Sequence, residues 1–219
     1  MQKNKLLAHL ETFLTPRRIA LFEKVISQRT NHFTVATQDV YQLHNTSAVI
    51  RSCEVFGVQN IHVIEERKPK RIDREIAMGA QKWVDVNRYA TSKECIKELK
   101  AKGYRIVATS PYGDSTELKD FNIEKPSAVF FGTEKDGLSE EILDQADCRI
   151  QIPMFGFTES LNISVSAAII LQHITSELKS SEISWELSED EKQNLKYEWL
   201  KKCIKNSDSI ITQYNSENP

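Results

Sequence analysis

The sequence predicts an α/β domain built around a largely parallel sheet, and three observations carry that expectation. Short β-type runs rich in Val, Ile, Phe and Thr recur between residues 32 and 153. Stretches with apolar residues at helical spacing separate them, the alternation expected of strand–helix–strand units. The 219 residues are 40% hydrophobic and 27% charged, enough chain for one sizeable core and ordinary for a globular domain.

The elements follow in order. Residues 3–14 carry Leu6, Leu7 and Leu10, and residues 17–29 carry Leu21, Phe22, Val25 and Ile26, with Pro16 between them, so two short helices open the chain. Strands are expected at HFTVAT (32–37), NIHVIE (60–65), WVDVNRY (83–89), YRIVATS (104–110), SAVFFGT (127–133) and CRIQIP (148–153). Helix-like stretches lie near 45–56, 73–78, 91–102 and 138–145. A long apolar helix, 161–178, precedes a charged segment, 186–205, with Leu187, Leu195, Trp199 and Leu200 as its buried stripe. The end, SDSIITQYNSENP, is polar enough to fray. Repeats, low-complexity blocks and Pro/Gly-rich linkers are absent, so one main domain over residues 31–178 with helical extensions at 1–30 and 179–219 is expected.

A formal net charge of −2 argues against a uniformly basic nucleic-acid binder. The distribution is uneven: residues 1–110 hold 19 Lys/Arg and 11 Asp/Glu, whereas residues 111–219 hold 10 and 20. A basic face toward an anionic partner and plain solvated helices both fit that split. Cys53, Cys95, Cys148 and Cys203 form no CxxC pair and have no His at zinc-ligand spacing, so neither a disulfide framework nor a metal site is expected. MQKNKLLAHLETF lacks an uninterrupted apolar stretch and does not read as a secretory signal, and no segment approaches the roughly 18 apolar residues of a membrane span. A reducing, cytoplasmic setting without membrane attachment is the expectation.

Ligands of open parallel sheets gather at the carboxyl ends of strands, and three such ends carry unusual loops. In HNTSAVIRSCEVFG (44–57), Asn45 and Arg51 fall within two helical turns. Asn45 could serve as an N-cap, but Arg51, flanked by Val49, Ile50 and Cys53, needs a partner or a task. In FFGTEKDGLSEE (130–141), Gly132 and Gly137 allow close backbone approach, and Ser139 could cap a helix opened by Glu140 and Glu141. Glu134 and Asp136 would repel phosphate, and the GxGxxG and GxxxxGK[ST] patterns are absent, which argues against a dinucleotide or nucleoside triphosphate and so against a nucleotide-dependent oxidoreductase. In IPMFGFTESLNISVSAAIIL (152–171), Ser160 or Asn162 could cap the long helix, while Met154, Phe155 and Phe157 could wall a partly apolar pocket.

In this order and spacing, NTSAVIRS, FFGTEKDGLS and IPMFGFTESLNISVSAAIIL resemble the three motifs of the SpoU branch of the SPOUT RNA methyltransferases, and within it most closely the tRNA guanosine 2′-O-methyltransferases. The resemblance spans about residues 29–178. It implies a Rossmann-like domain whose part near 130–178 is tied in a deep trefoil knot, an exception to the usual unthreaded topology. It also implies bound S-adenosylmethionine and a homodimer in which each active site draws on both subunits. Carried over position by position, Arg51 corresponds to the arginine that activates the ribose 2′-hydroxyl and Asn45 to its neighbour. Glu134 matches the motif-two glutamate, and Ser160 and Asn162 the motif-three pair. Cofactor contacts, largely main-chain, map to Thr109, Gly132, Ile152 and Leu161, with Met154 beside them.

Arginine as a residue type is protonated at neutral pH, so a second role for Arg51, orienting the hydroxyl or a phosphate while the proton leaves elsewhere, stays open. Only short helices precede the first strand, which favours tRNA over ribosomal RNA and, by resemblance, the D-loop guanosine at tRNA position 18. Arg17, Arg18, Lys24, Arg29, Arg67, Lys68, Lys70, Arg71 and Arg74 are the candidate phosphate contacts. Two alternatives remain: another tRNA or rRNA ribose as the target, and a non-catalytic RNA-binding factor on the same fold.

Overall fold

The computed structural model describes residues 2–40, 43–66, 79–111, 114–133 and 135–218. The chain divides into two compact units, Thr30–Trp185 and the pairing of Met1–Arg29 with Glu186–Pro219.

The larger unit carries β1 (Phe33–Gln38), α3 (Leu43–Phe56), β2 (Asn60–Ile64), β3 (Asp85–Tyr89), α4 (Ser92–Ala101), β4 (Arg105–Thr109), β5 (Thr116–Glu117), β6 (Ser127–Phe131), α5 (Glu140–Gln145), β7 (Cys148–Gln151) and α6 (Ile163–Ser180). The seven strands form one sheet in the order β3-β2-β1-β6-β4-β7-β5. Every pairing is parallel: Val35 stands beside Ile61 on one side and Val129 on the other, and Val107 pairs with Val129 and Cys148. The α/β class and the parallel sheet therefore stand as the sequence predicts.

Both faces of the sheet are covered, so β1 and β6 are buried along their whole length, the pattern of parallel strands enclosed by helices. The strand period of two sorts their side chains. Phe33, Val35, Val107, Val129 and Phe131 face a core shared with Val49, Ile50 and Cys53 of α3 and Ala167, Ile170, Leu171 and Ile174 of α6. Ala36, Ile106, Ala108, Ala128 and Phe130 point the other way, onto Cys95, Ile96 and Leu99 of α4 and Ile142 of α5. Because all strands run in one direction, Gln38, Thr109, Phe131 and Gln151 arrive together at one edge.

The smaller unit consists of α1 (Gln2–Glu11), α2 (Pro16–Ile26), α7 (Glu189–Cys203) and α8 (Ser207–Glu217). Thr15 caps α2 ahead of Pro16, and Ser188 and Glu191 form a reciprocal capping box on α7. Trp199 is 2% exposed with the Phe22 ring edge-on at 5.4 Å, and Lys196 of α7 pairs with Glu11 and Glu23. The polar C-terminal segment forms α8, whose Ser207 hydroxyl donates to the Lys201 carbonyl at 3.1 Å and whose Tyr214 ring lies 4.7 Å from that of His9. Among the described residues no helix is long and apolar enough to cross a membrane.

Candidate active site

The first loop leads into α3, which starts at Leu43, so Asn45 lies inside the first turn rather than at the cap the sequence offered. Asn45 is buried. The helical period carries Val49, Ile50 and Cys53 inward and turns Arg51 to solvent. The apolar neighbours that suggested an enclosed arginine thus lie on the opposite side of the helix. Arg51 makes no hydrogen bond or ion pair with another described residue.

The second loop leaves β6 at Gly132 and closes on itself. Thr133 and Gly137 exchange backbone hydrogen bonds of 2.9 and 3.0 Å, and the Asp136 amide donates to Thr133 Oγ1 at 2.9 Å. Gly137 takes φ +68°, and a Cβ on Gly132 would meet the Gly137 carbonyl carbon and oxygen at 2.1 Å. Both glycines are therefore required by backbone geometry. Ser139 occupies the N-cap position of α5 but makes no capping bond with its side chain; its hydroxyl accepts from Gln38 instead.

The third loop runs from β7 to α6. Asn162, not Ser160, caps α6: its Oδ1 accepts from the Ser164 amide at 2.9 Å and the Ser164 hydroxyl at 2.6 Å. Its Nδ2 donates to Asn45 Oδ1 at 3.2 Å, which brings the first and third loops together. Phe155 and Phe157 do not wall a pocket. They are fully exposed, and Met154 alone of the three turns inward.

The second and third loops, with the end of β4 and the start of α6, enclose a cavity of about 430 Å³, within the roughly 300–1,000 Å³ usual for small-molecule sites. Thr109, Gly132, Ile152, Met154 and Leu161 all line it, with Ser160 beside them. The Thr109 hydroxyl is committed to the Phe130 carbonyl at 2.8 Å. Asp136 and Glu159 put carboxylates on the wall next to Lys135, a setting that favours a ligand with cationic character over a phosphate. The sequence reading missed Leu138, Glu159, Ser166 and Ile170. Ser166 and Ile170 were detectable, since they follow Ile163 at helical spacings of three and seven.

Other expected residues fall elsewhere. Arg17, Arg18 and Lys24 are exposed. Arg29 is not a surface charge: it is fully buried, its guanidinium 5.4 Å from the Trp199 ring centre, and no phosphate can reach it in that position. Glu134, Arg67, Lys68, Lys70, Arg71 and Arg74, with the expected helix at 73–78, lie outside the described residues. Among the described residues no group of three His, Cys, Asp or Glu could hold a metal ion. The strongly perturbed groups, His62, Tyr89 and Cys95, lie away from the cavity, in the packing of β2, β3 and α4.

Residues 32–172, nearly two thirds of the chain and all three loops, match the SpoU rRNA Methylase family. The chain belongs to the SpoU methylase family. Among its relatives, the tRNA (guanosine(18)-2′-O)-methyltransferase of Borreliella burgdorferi is 40% identical over 207 residues, covering 94% of this chain and 95% of that protein. The Thermus thermophilus enzyme of the same name is 37% identical, covering 72% and 81%. The crystal structure of the Aquifex aeolicus TrmH/SpoU tRNA modifying enzyme superposes with a TM-score of 0.78 at 31% identity, over 86% of this SpoU methylase and 98% of that chain.

Proposed function

We propose that this SpoU methylase transfers a methyl group from S-adenosylmethionine to the ribose 2′-hydroxyl of the D-loop guanosine at tRNA position 18. The observation that carries the reading is the convergence of Thr109 from the end of β4, Gly132 from the second loop, and Ile152, Met154 and Leu161 from the third on one cavity. The names of the relatives in Borreliella burgdorferi and Thermus thermophilus support the same nucleotide.

S-adenosylmethionine in this cavity supplies an electrophilic sulfonium methyl. The residues do the rest. The backbone around Gly132 and Leu138 and the side chains of Ile152, Met154 and Leu161 hold the adenosine part, while Asp136 and Glu159 complement positive charge. Asn45 and Asn162 fix the mutual position of α3 and α6, and Ser160 presents a hydroxyl from the cavity rim. Arg51 directs its guanidinium at the incoming ribose or its phosphate, and Glu134 acts in the same site. With S-adenosylmethionine bound, attack of the 2′-oxygen on the methyl carbon would release the sulfur as the neutral thioether of S-adenosylhomocysteine and the 2′-proton to water; aligning the hydroxyl for that displacement is the main contribution of this chain's own residues.

Arg51 does not line its own chain's cavity, and this supports an active site completed across a homodimer. The exposed apolar residues Phe155, Phe157, Leu161, Val165 and Ile169 on and before the first turns of α6 support the same assembly, because such patches mark interfaces. We assign the trefoil knot to residues about 130–178 of a methyltransferase domain at 31–178, on the strength of the family. The N-terminal extension 1–30 carries tRNA contacts, with Arg17, Arg18 and Lys24 as exposed cations, and Arg67, Lys68, Lys70, Arg71 and Arg74 add to them on the domain itself. A cytoplasmic location follows from a tRNA substrate. Mapping 2′-O-methylated nucleosides in tRNA from cells lacking this protein tests the reading: loss of the methyl at guanosine 18 alone supports it, and an unchanged tRNA map refutes it.

A further inference from the structure

Gln38 ends β1 and is 4% exposed, yet it does not line the cavity. Both N–H donors of its amide are used, and its oxygen accepts one bond. Nε2 donates to Ser92 Oγ at 2.9 Å and to Ser139 Oγ at 2.8 Å, while Oε1 accepts from the Ser139 backbone amide at 2.9 Å. Ser92 opens α4, where its own amide donates to the Glu66 carboxylate. Ser139 follows Gly137 and Leu138, both of which line the cavity.

The loop from Gly132 to Ser139 is thus pinned at two places. Its base is closed by the Thr133–Gly137 pair, and its far end is tied to the sheet by two hydrogen bonds from one side chain. Nothing else in the described structure fixes Ser139 to β1. We propose that Gln38 is a positioning residue for the cofactor. It acts through Ser139 to set where the backbone of Gly137 and Leu138 stands in the cavity wall. The inference rests on the reading of this cavity as the S-adenosylmethionine site and adds to it a residue that never touches the ligand.

The chemistry of the three bonds specifies the test. Gln38→Met keeps length and volume but can neither donate to the hydroxyls nor accept from Ser139. Gln38→Glu keeps an acceptor for the Ser139 amide, to which the serine hydroxyls can also rotate to donate, against the cost of burying a carboxylate near the Glu66 carboxylate that holds the Ser92 amide. Calorimetric titration of the purified protein with S-adenosylmethionine should show Gln38→Met binding roughly tenfold more weakly, the scale of losing buried hydrogen bonds, with Gln38→Glu recovering part of that loss. In steady state the same loss should appear in KM for S-adenosylmethionine, with kcat at saturation within about twofold. Hydrogen exchange at Leu138 and Ser139 should quicken in Gln38→Met while β1 stays protected. Should Gln38→Met fail to fold, Ser139→Ala, which removes one of the three bonds, should still weaken binding by about threefold. Wild-type affinity in Gln38→Met or Ser139→Ala, or no rescue by Gln38→Glu, overturns the proposal. Absence of binding by the wild-type protein instead refutes the cofactor reading, and unchanged exchange at Ser139 then overturns the positioning role as well.

Discussion

The side-chain amide of Asn162 donates to Asn45 Oδ1 at 3.2 Å, joining two residues 117 positions apart. Asn162 also caps α6 through Ser164, so one side chain both starts the helix that covers the sheet and ties it to α3. Asn162→Ala removes both contacts. Loss of the cap should cost about 1 kcal/mol, read as a lower urea midpoint. Release of α3 should lower kcat/KM for tRNA by roughly tenfold or more, since misplacement of an aligning group is costly.

Gly132 is the point at which the second loop leaves no room. A Cβ there would stand 2.1 Å from the Gly137 carbonyl group and 2.3 Å from the Leu138 amide nitrogen. Gly132→Ala must push the strand end and the hairpin apart, at a cost of about 3 kcal/mol for a forced backbone shift. Chemical unfolding should record that loss, and calorimetry should find no S-adenosylmethionine binding in whatever fraction remains folded.

Acid should weaken the fold in a way traceable to one histidine. His62 on β2 is buried with its Nδ1 3.0 Å from the Tyr89 hydroxyl, and burial pulls its pKa from 6.5 down to about 4. Between those two values the unfolded chain holds a proton that the folded chain refuses, so stability falls as pH falls through this window and is fully present above it. The contribution amounts to about 3 kcal/mol. Urea midpoints measured from pH 7 to pH 4.5 should drop more steeply for wild type than for His62→Gln.

The apolar residues around the start of α6 predict an association state. Phe157 and Val165 are exposed in the single chain, and a charge placed there would have to be buried at an interface. Val165→Glu should sediment as a monomer while the wild type sediments as a dimer, and methyl transfer should fall with the dimer. A wild type that sediments as a monomer at micromolar concentration would contradict the shared site.

The central strands are legible because β1, β2, β4 and β6 are buried along most or all of their length and read as apolar runs. HFTVAT at 32–37 became Phe33–Gln38, and SAVFFGT at 127–133 became Ser127–Phe131. β5 was not foreseen, since Thr116–Glu117 is two residues long and pairs only with β7. The helical stripe of α2 placed Phe22 and Ile26 inside correctly, but Arg29 gave no sign that it would be buried against a tryptophan from the far end of the chain. The cavity residues were reached through motif resemblance; composition alone shows no side-chain signature for a ligand held largely by backbone. Gln38 escaped notice for a different reason, because its partners lie 54 and 101 residues away and a lone glutamine at a strand end carries no local pattern.

Arg51 is the residue proposed to act on the incoming ribose. Since it is exposed on α3 and outside the cavity wall, Arg51→Ala should leave folding and S-adenosylmethionine affinity unchanged, while the methyl-transfer rate falls by about 100-fold or more, the range for a group acting in the transition state. Loss of cofactor binding in this variant would mean that Arg51 serves the ligand site and not the ribose.

The central claim is tested most directly by incubating the purified protein with methyl-labelled S-adenosylmethionine and two tRNA transcripts that differ only at position 18. One carries guanosine there and the other 2′-deoxyguanosine. The account predicts label incorporated as 2′-O-methylguanosine in the first and none in the second; equal labelling of both transcripts, or of neither, would contradict it.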